Sequence, residues 1–373
     1  MNLRQLWAQI HLWIGLTLGV VGVLIGITGS ILVYETQVDA AISPQRYAVS
    51  GSDVALPYSA YIEGATQVLD SRIRATLVRF PQKAGLPVVV FARARGENGG
   101  VMRVYLDPPT GRVLDVSPGG GFVGWAHQFH EHLTLREYGG REIVGAVGIA
   151  MLISSLSGLY LWWPTRSRLR EALLFRRGIA LTRNLHYFFG FYFALVLAML
   201  SFTGIFLAYP DAGRNVVAAF GPVSPSMRNV NADTPSRGKA IAPDQAAQIA
   251  KERFPNAQIV VIGMPQGARG AYRVGMNDSR DASIQPGGNT VVFVDPASGA
   301  VLRSADASSR TSGDTFLALQ RSLHSGASLG VIGRVVICIV GFAPALFVIT
   351  GLTMWLQRRR QRKVYRTLQP ETA

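Results

Sequence analysis

Residues 186–209 read HYFFGFYFALVLAMLSFTGIFLAY, twenty-four positions without one Asp, Glu, Lys or Arg. A helix needs about 20 apolar residues to cross a hydrocarbon core, so this run has the length and composition of a membrane span. Three further stretches, roughly 12–34, 142–163 and 333–356, meet the same requirement. Cations gather at their edges. Arg166, Arg168, Arg170, Arg176, Arg177 and Arg183 crowd the connection between the second and third runs, and Arg358, Arg359, Arg360, Arg362, Lys363 and Arg366 follow the fourth. Such clusters stay on the cytoplasmic side of a membrane. They predict cytoplasmic termini and place 35–141 and 210–332 on the opposite face, the periplasm of a Gram-negative cell. The expected division is 1–34 with the first span, a lobe over 35–141, spans at 142–164 and 186–209 joined by a basic loop at 165–185, a lobe over 210–332, a span at 333–357 and a basic tail at 358–373.

A chain of 373 residues with 49% hydrophobic and only 16% charged residues is too apolar for an ordinary soluble enzyme, and spans joined to soluble lobes fit it better. The net charge of +15 would suit a nucleic-acid partner if the cations lay on one folded face. They flank apolar runs instead, so the expected partner is the lipid bilayer and not nucleic acid. The only cysteine, Cys338, lies inside an apolar run, which excludes an intramolecular disulfide and a cysteine metal cluster. Arg4 alone precedes a first apolar run longer than a signal-peptide core, and the run reads as a retained anchor.

The two predicted lobes resemble each other. Val104-Tyr105-Leu106-Asp107-Pro108-Pro109-Thr110-Gly111-Arg112-Val113-Leu114 matches Val292-Phe293-Val294-Asp295-Pro296-Ala297-Ser298-Gly299-Ala300-Val301-Leu302, each a strand, a turn and a second strand. Ala242-Pro243-Asp244 can open a helix ending near Phe254-Pro255, with Asp244 as cap or first-turn acid. A helix followed by antiparallel strands is therefore the expected lobe unit, and Gly119-Gly120-Gly121 after Pro118 reads as a flexible linker.

The spans repeat too. Thr28-Gly29, Ser157-Gly158, Thr203-Gly204 and Thr350-Gly351 place a hydroxyl and a glycine near the end of each, a pattern that close helix packing alone accounts for. Measured from these marks, His11 precedes Thr28 and His186 precedes Thr203 by seventeen residues; His130 precedes Ser157 by twenty-seven and His324 precedes Thr350 by twenty-six. The chain thus reads as a duplicated unit of span, lobe and span with equivalent histidines. The predicted topology puts His11 and His186 at the cytoplasmic face and His130 and His324 at the outer face.

Two matched histidines at each face are what two bis-histidine haems require, and two imidazoles leave no open iron position for oxygen. No CxxCH is present, so both groups would be non-covalent haem b. Gly15 and Gly190, four residues after His11 and His186, leave room for a flat macrocycle against the helix. His127 shares a helical face with His130 and is an alternative ligand, and the cluster of His127, His130 and His132 can also be read as a zinc or substrate site. Gly140-Arg141 and Gly333-Arg334 recur at nearly equal offsets, so Arg141 and Arg334 are possible propionate partners, or basic anchors of helix ends.

With His11-Leu12-Trp13-Ile14-Gly15, Leu185-His186, Phe129-His130, Leu323-His324, Leu159-Tyr160-Leu161-Trp162-Trp163-Pro164 and the two Asp-Pro-x-[Ser/Thr]-Gly hairpins, nearly the whole chain resembles the PepSY-associated transmembrane proteins, particularly their di-haem ferric-siderophore reductases. Glu131-His132 departs from the family's usual polar residues. The resemblance implies an integral-membrane, mainly α protein: a four-transmembrane-helix bundle with two periplasmic α+β PepSY-like lobes, internally duplicated. It further implies transfer of electrons to a periplasmic ferric siderophore, of hydroxamate type, with release of ferrous iron. The chain has no strand–GxGxxG–helix unit for a dinucleotide, so a quinol or a separate cytoplasmic reductase is the expected donor. Two other readings stand beside this one: a membrane-anchored regulator whose lobes bind a periplasmic partner, and a siderophore or iron transporter. The spans are read as carrying no charged pair, acidic ligand cluster or broken helix for the latter.

Overall fold

A computed structural model describes residues 2–94, 100–163, 174–175, 180–227, 230–232, 235, 240–278 and 288–368. Pro164, Arg166, Arg168, Arg170, Arg176 and Arg177 lie outside the described residues, as does most of the loop expected at 165–185. In chain order the helices are α1 (Leu3–Thr17), α2 (Gly19–Val33), α3 (Glu35–Ile42), α4 (Tyr58–Gln67), α5 (Gly121–His132), α6 (Gly140–Trp162), α7 (Leu181–Ala208), α8 (Pro210–Ala218), α9 (Pro243–Arg253), α10 (Ser312–His324), α11 (Gly330–Gly341) and α12 (Ala343–Leu368). The strands are β1 (Ile73–Arg79), β2 (Val88–Ala94), β3 (Val101–Leu106), β4 (Val113–Pro118), β5 (Ala257–Gly263), β6 (Tyr272–Asp278), β7 (Thr290–Val294) and β8 (Val301–Ala305). They form two compact units, Met1–Glu35 with Ala126–Gly221 and Thr315–Ala373, and Thr36–Trp125 with Pro222–Asp314.

The first unit is helical. α6, α7 and the stretch Ala327–Arg362 are long and apolar enough to cross a membrane, and α1 with α2 makes a fourth span if the bent pair is one. That pair differs from the straight first span expected at 12–34. It turns by 64° between Thr17 and Gly19, where the Thr17 hydroxyl donates to the Trp13 carbonyl at 2.7 Å. α1 packs on α6, α6 on α7, α7 on α12, and α12 with α11 on α2, closing a ring of four. The outer sides are apolar and bare, as at Leu195 and Ile349, 74% and 65% exposed. Water would penalise such faces, whereas hydrocarbon does not.

The second unit holds one eight-stranded antiparallel sheet, ordered β4-β3-β2-β1-β5-β6-β7-β8. Two lobes, each a helix followed by antiparallel strands, were the expectation. Each half does contain a helix followed by four strands, but β1 and β5 pair, with Leu77 opposite Gly263 and Arg79 opposite Val261, and so fuse the halves. Val78, Val90, Val104, Ile262, Val274 and Val292 point to one face and are fully buried beneath α4 and α9 with Tyr61 and Ala246. Each such side chain contributes roughly 1.5–3 kcal/mol on burial. Asp244 does not serve its own helix: its carboxylate accepts from the Tyr58 and Ser59 amides, at 2.6 and 3.2 Å, and caps α4 of the other half.

Gly119-Gly120-Gly121 is a built turn, not the linker expected. Their φ values are +64°, +83° and +65°, which only glycine adopts three times in succession without strain. A Cβ on Gly120 would lie 2.5 Å from the Arg103 guanidinium carbon. Beside it, Arg46 donates to Asp39 and Asp115, each at 2.6 Å, and to the Ser117 hydroxyl at 2.8 Å.

Candidate metal centres

The four histidines picked out by the repeat come together in two pairs. The His11 and His186 ring centres are 6.3 Å apart with planes at 86°; those of His130 and His324 are 6.1 Å apart at 54°. α1 and α7 carry the first pair near the starts of spans, and α5 and α10 carry the second just ahead of α6 and α11. α5 ends at Leu133 and Thr134, whose φ values of 51° and 58° are strained for residues with a Cβ. Gly326 makes the corresponding turn after α10. The next spans press on these turns. A Cβ on Gly140 would collide with the His132 carbonyl, and one on Gly333 with the Gly326 carbonyl, so the recurring glycine ahead of each arginine is a packing requirement.

Each imidazole rests on a [Ser/Thr]-Gly pair of another helix. His11 Nδ1 lies 3.2 Å from the Ser157 hydroxyl and 3.0 Å from the Ser154 carbonyl. For His130 the partners are Thr28 at 3.4 Å and the Ile25 carbonyl at 2.9 Å; for His324, Thr203 at 2.9 Å and the Leu200 carbonyl at 3.1 Å. His186 has the Thr350 hydroxyl at 2.8 Å. Every one of these hydroxyls donates its single proton to a carbonyl of its own helix, at Ser154, Leu24, Met199 and Leu346. It must therefore accept from the ring, which fixes the proton on Nδ1 and leaves the Nε2 lone pair for a metal. Among the described residues, Nε2 of these four rings makes no hydrogen bond. The glycine of each pair supplies clearance: a Cβ on Gly29, Gly158, Gly204 or Gly351 would stand 2.8, 3.0, 3.3 or 3.6 Å from the Cε1 of His130, His11, His324 or His186.

Haem fits this arrangement. A metal–imidazole bond is about 2 Å and the ring centre lies roughly 1.2 Å beyond the nitrogen, so axial imidazoles on one iron stand roughly 6.4 Å apart. Both pairs match that spacing. A Cβ on Gly15 or Gly190 would meet no atom within 4 Å, so a flat ring can lie against the helix there.

The neighbouring candidates are differently engaged. His127 bonds through Nε2 to Glu35 at 2.6 Å and faces Glu131 at 3.9 Å. Burial alone would lower its pKa, but the carboxylates of Glu131 and Glu35 raise it to about 9, and the adjoining imidazolium lowers Glu131 to about 2. His127 is thus engaged by carboxylates, whereas His130 is the ring that faces His324. His132 lies 3.8 Å from Glu131. Among the described residues no three His, Cys, Asp or Glu side chains converge as a zinc site would need. Arg141 donates to the Leu207 carbonyl at 2.6 Å and Arg334 to the Val33 carbonyl, so each arginine caps the end of a neighbouring span. The Thr and Ser hydroxyls are the site residues that sequence reasoning left as packing; their matched offsets from the histidines in the two halves were the available signal.

A family model described as PepSY-associated TM region matches residues 8–358. The chain belongs to that family. The match spans all four histidines and both halves of the sheet, and the PepSY-associated TM chain is a membrane protein. No curated protein matches it.

Proposed function

We propose that this PepSY-associated TM chain is an inner-membrane di-haem b protein that transfers electrons across the bilayer to a periplasmic ferric siderophore and releases ferrous iron. The observation that supports it best is the pair of imidazole couples at haem spacing, each ring with Nδ1 anchored and Nε2 open. His11 and His186 would hold the cytoplasmic-side group, and His130 and His324 the periplasmic-side group. When bound between two imidazoles, haem supplies one-electron transfer without an open site for oxygen. The hydroxyls hold each ring in the ligating tautomer, and the apolar helices keep water from the interior. Ferrous iron binds hard oxygen donors less firmly than ferric iron, so one electron loosens a hydroxamate-type complex. The donor is a quinol or a cytoplasmic reductase. The family resemblance supports the siderophore, and the ligand chemistry supports the haems.

Purified protein should show reducible b-type bands and two haems per chain by pyridine haemochrome. His186→Ala or His324→Ala should leave one haem, and His127→Ala should leave both. Dithionite-reduced protein mixed anaerobically with a ferric hydroxamate should reoxidise. Absence of b-type bands sinks the haem reading; haems that no ferric siderophore reoxidises sink the substrate.

A further inference from the structure

Three of the four imidazoles share one support. Their Nδ1 protons meet a Ser or Thr hydroxyl and also the carbonyl three residues before it: Ser154 before Ser157, Ile25 before Thr28, and Leu200 before Thr203. In each helix that carbonyl is the one whose regular partner is the amide of the adjoining glycine, and the missing Cβ leaves room for the imidazole to approach it as well as the hydroxyl. The fourth imidazole departs from the pattern. His186 reaches the Thr350 hydroxyl at 2.8 Å, and the corresponding carbonyl of Phe347 is not among its partners. The Gly351 position stands farthest from its ring, at 3.6 Å. Phe347 instead meets the His186 ring edge-on, with centres 5.4 Å apart.

We infer that Thr350 is the positioning residue on which the His11–His186 centre depends, because among the described residues its hydroxyl is the one hydrogen-bond partner of His186 Nδ1 and so sets the tautomer. The inference rests on the haem reading above. At the other three histidines, loss of the hydroxyl leaves a backbone carbonyl to accept the Nδ1 proton. At His186 it leaves none among the described residues. The ring is then free to turn about its side-chain bonds, and Nε2 loses the electron donation that a hydrogen-bonded Nδ1–H supplies to a metal.

The test compares wild type, Thr350→Val, Thr350→Ala, Thr350→Ser and Thr203→Val, each freed of haem, titrated with haemin and examined oxidised by electron paramagnetic resonance. Thr350→Val should weaken one of the two sites by about 10–100-fold and move one of two low-spin ferric signals. Thr350→Ser should restore both. Thr203→Val should cost several-fold less affinity and a smaller signal shift than Thr350→Val, because Leu200 still accepts from His324. Thr350→Ala removes the hydroxyl without new bulk and serves if the valine variant elutes as aggregate. Wild-type behaviour of folded Thr350→Val and Thr350→Ala, or an equal loss in Thr203→Val, overturns the inference while the di-haem reading stands. A wild type that takes up no haem overturns both.

Discussion

At the scale of single residues, the glycine beside each hydroxyl decides how near an imidazole can lie, and the four positions are not equivalent. An alanine methyl at Gly29 would stand 2.8 Å from His130 Cε1, inside van der Waals contact, whereas at Gly351 it would stand 3.6 Å from His186, an ordinary contact. Gly29→Ala should therefore tilt His130 and lower haem retention at that pair by about tenfold. Gly351→Ala should keep both haems and, by exchanging glycine for alanine within a helix, raise stability by about 0.5–1 kcal/mol. Haemochrome stoichiometry and thermal unfolding of the two proteins in detergent check this pair of outcomes; equal haem loss in both would contradict it. The regular spacing of His11, His130, His186 and His324 from the hydroxyls was legible in the sequence. Which hydroxyl serves which ring was not. Ser157 serves His11 and Thr28 serves His130, a crossing of partners that exists only once helices from distant parts of the chain have packed.

At the scale of elements, local patterns were readable where short-range chemistry writes them. The two Asp-Pro-x-[Ser/Thr]-Gly turns join β3 to β4 and β7 to β8, and the proline-led start of α9 lies where Pro243 and Asp244 place it. The union of two halves in one sheet was hidden, because β1 carries the same alternation whether its free edge meets water or β5. The role of Asp244 was hidden for a similar reason: a first-turn acid normally serves its own helix, and this one caps α4. Asp244→Ala should cost about 1 kcal/mol, the usual worth of an N-cap. Asp244→Asn, which keeps the acceptor oxygen, should cost less. The readout is thermal unfolding of the whole chain. Equal stability of Asp244→Ala and wild type would mean that the α4 amides find other acceptors.

At the scale of the whole molecule, orientation follows from charge and not from packing. Apolar helices such as α6 and α7 are indifferent to direction within hydrocarbon, but the connection containing Arg166 to Arg183 and the tail from Arg358 to Arg366 carry a concentration of cations unmatched near the other ends of the spans. Retaining such clusters on the cytoplasmic side is the main determinant of direction in short loops. Cysteines introduced in turn at exposed Asp53 and Gln361, with Cys338→Ser to remove the native thiol, should report it. In intact spheroplasts a membrane-impermeant maleimide should label position 53 readily and position 361 only after permeabilisation. The same experiment bears on chemistry, since it decides which histidine pair faces the substrate side. Labelling in the reverse order would put His11 and His186 outward, and with them Thr350, and would make His130 and His324 the pair nearest the electron donor. A substrate delivered from the periplasm would then meet a centre held by α1 and α7, and the inside-to-outside direction proposed for electron transfer would have to be abandoned even with both haems in place.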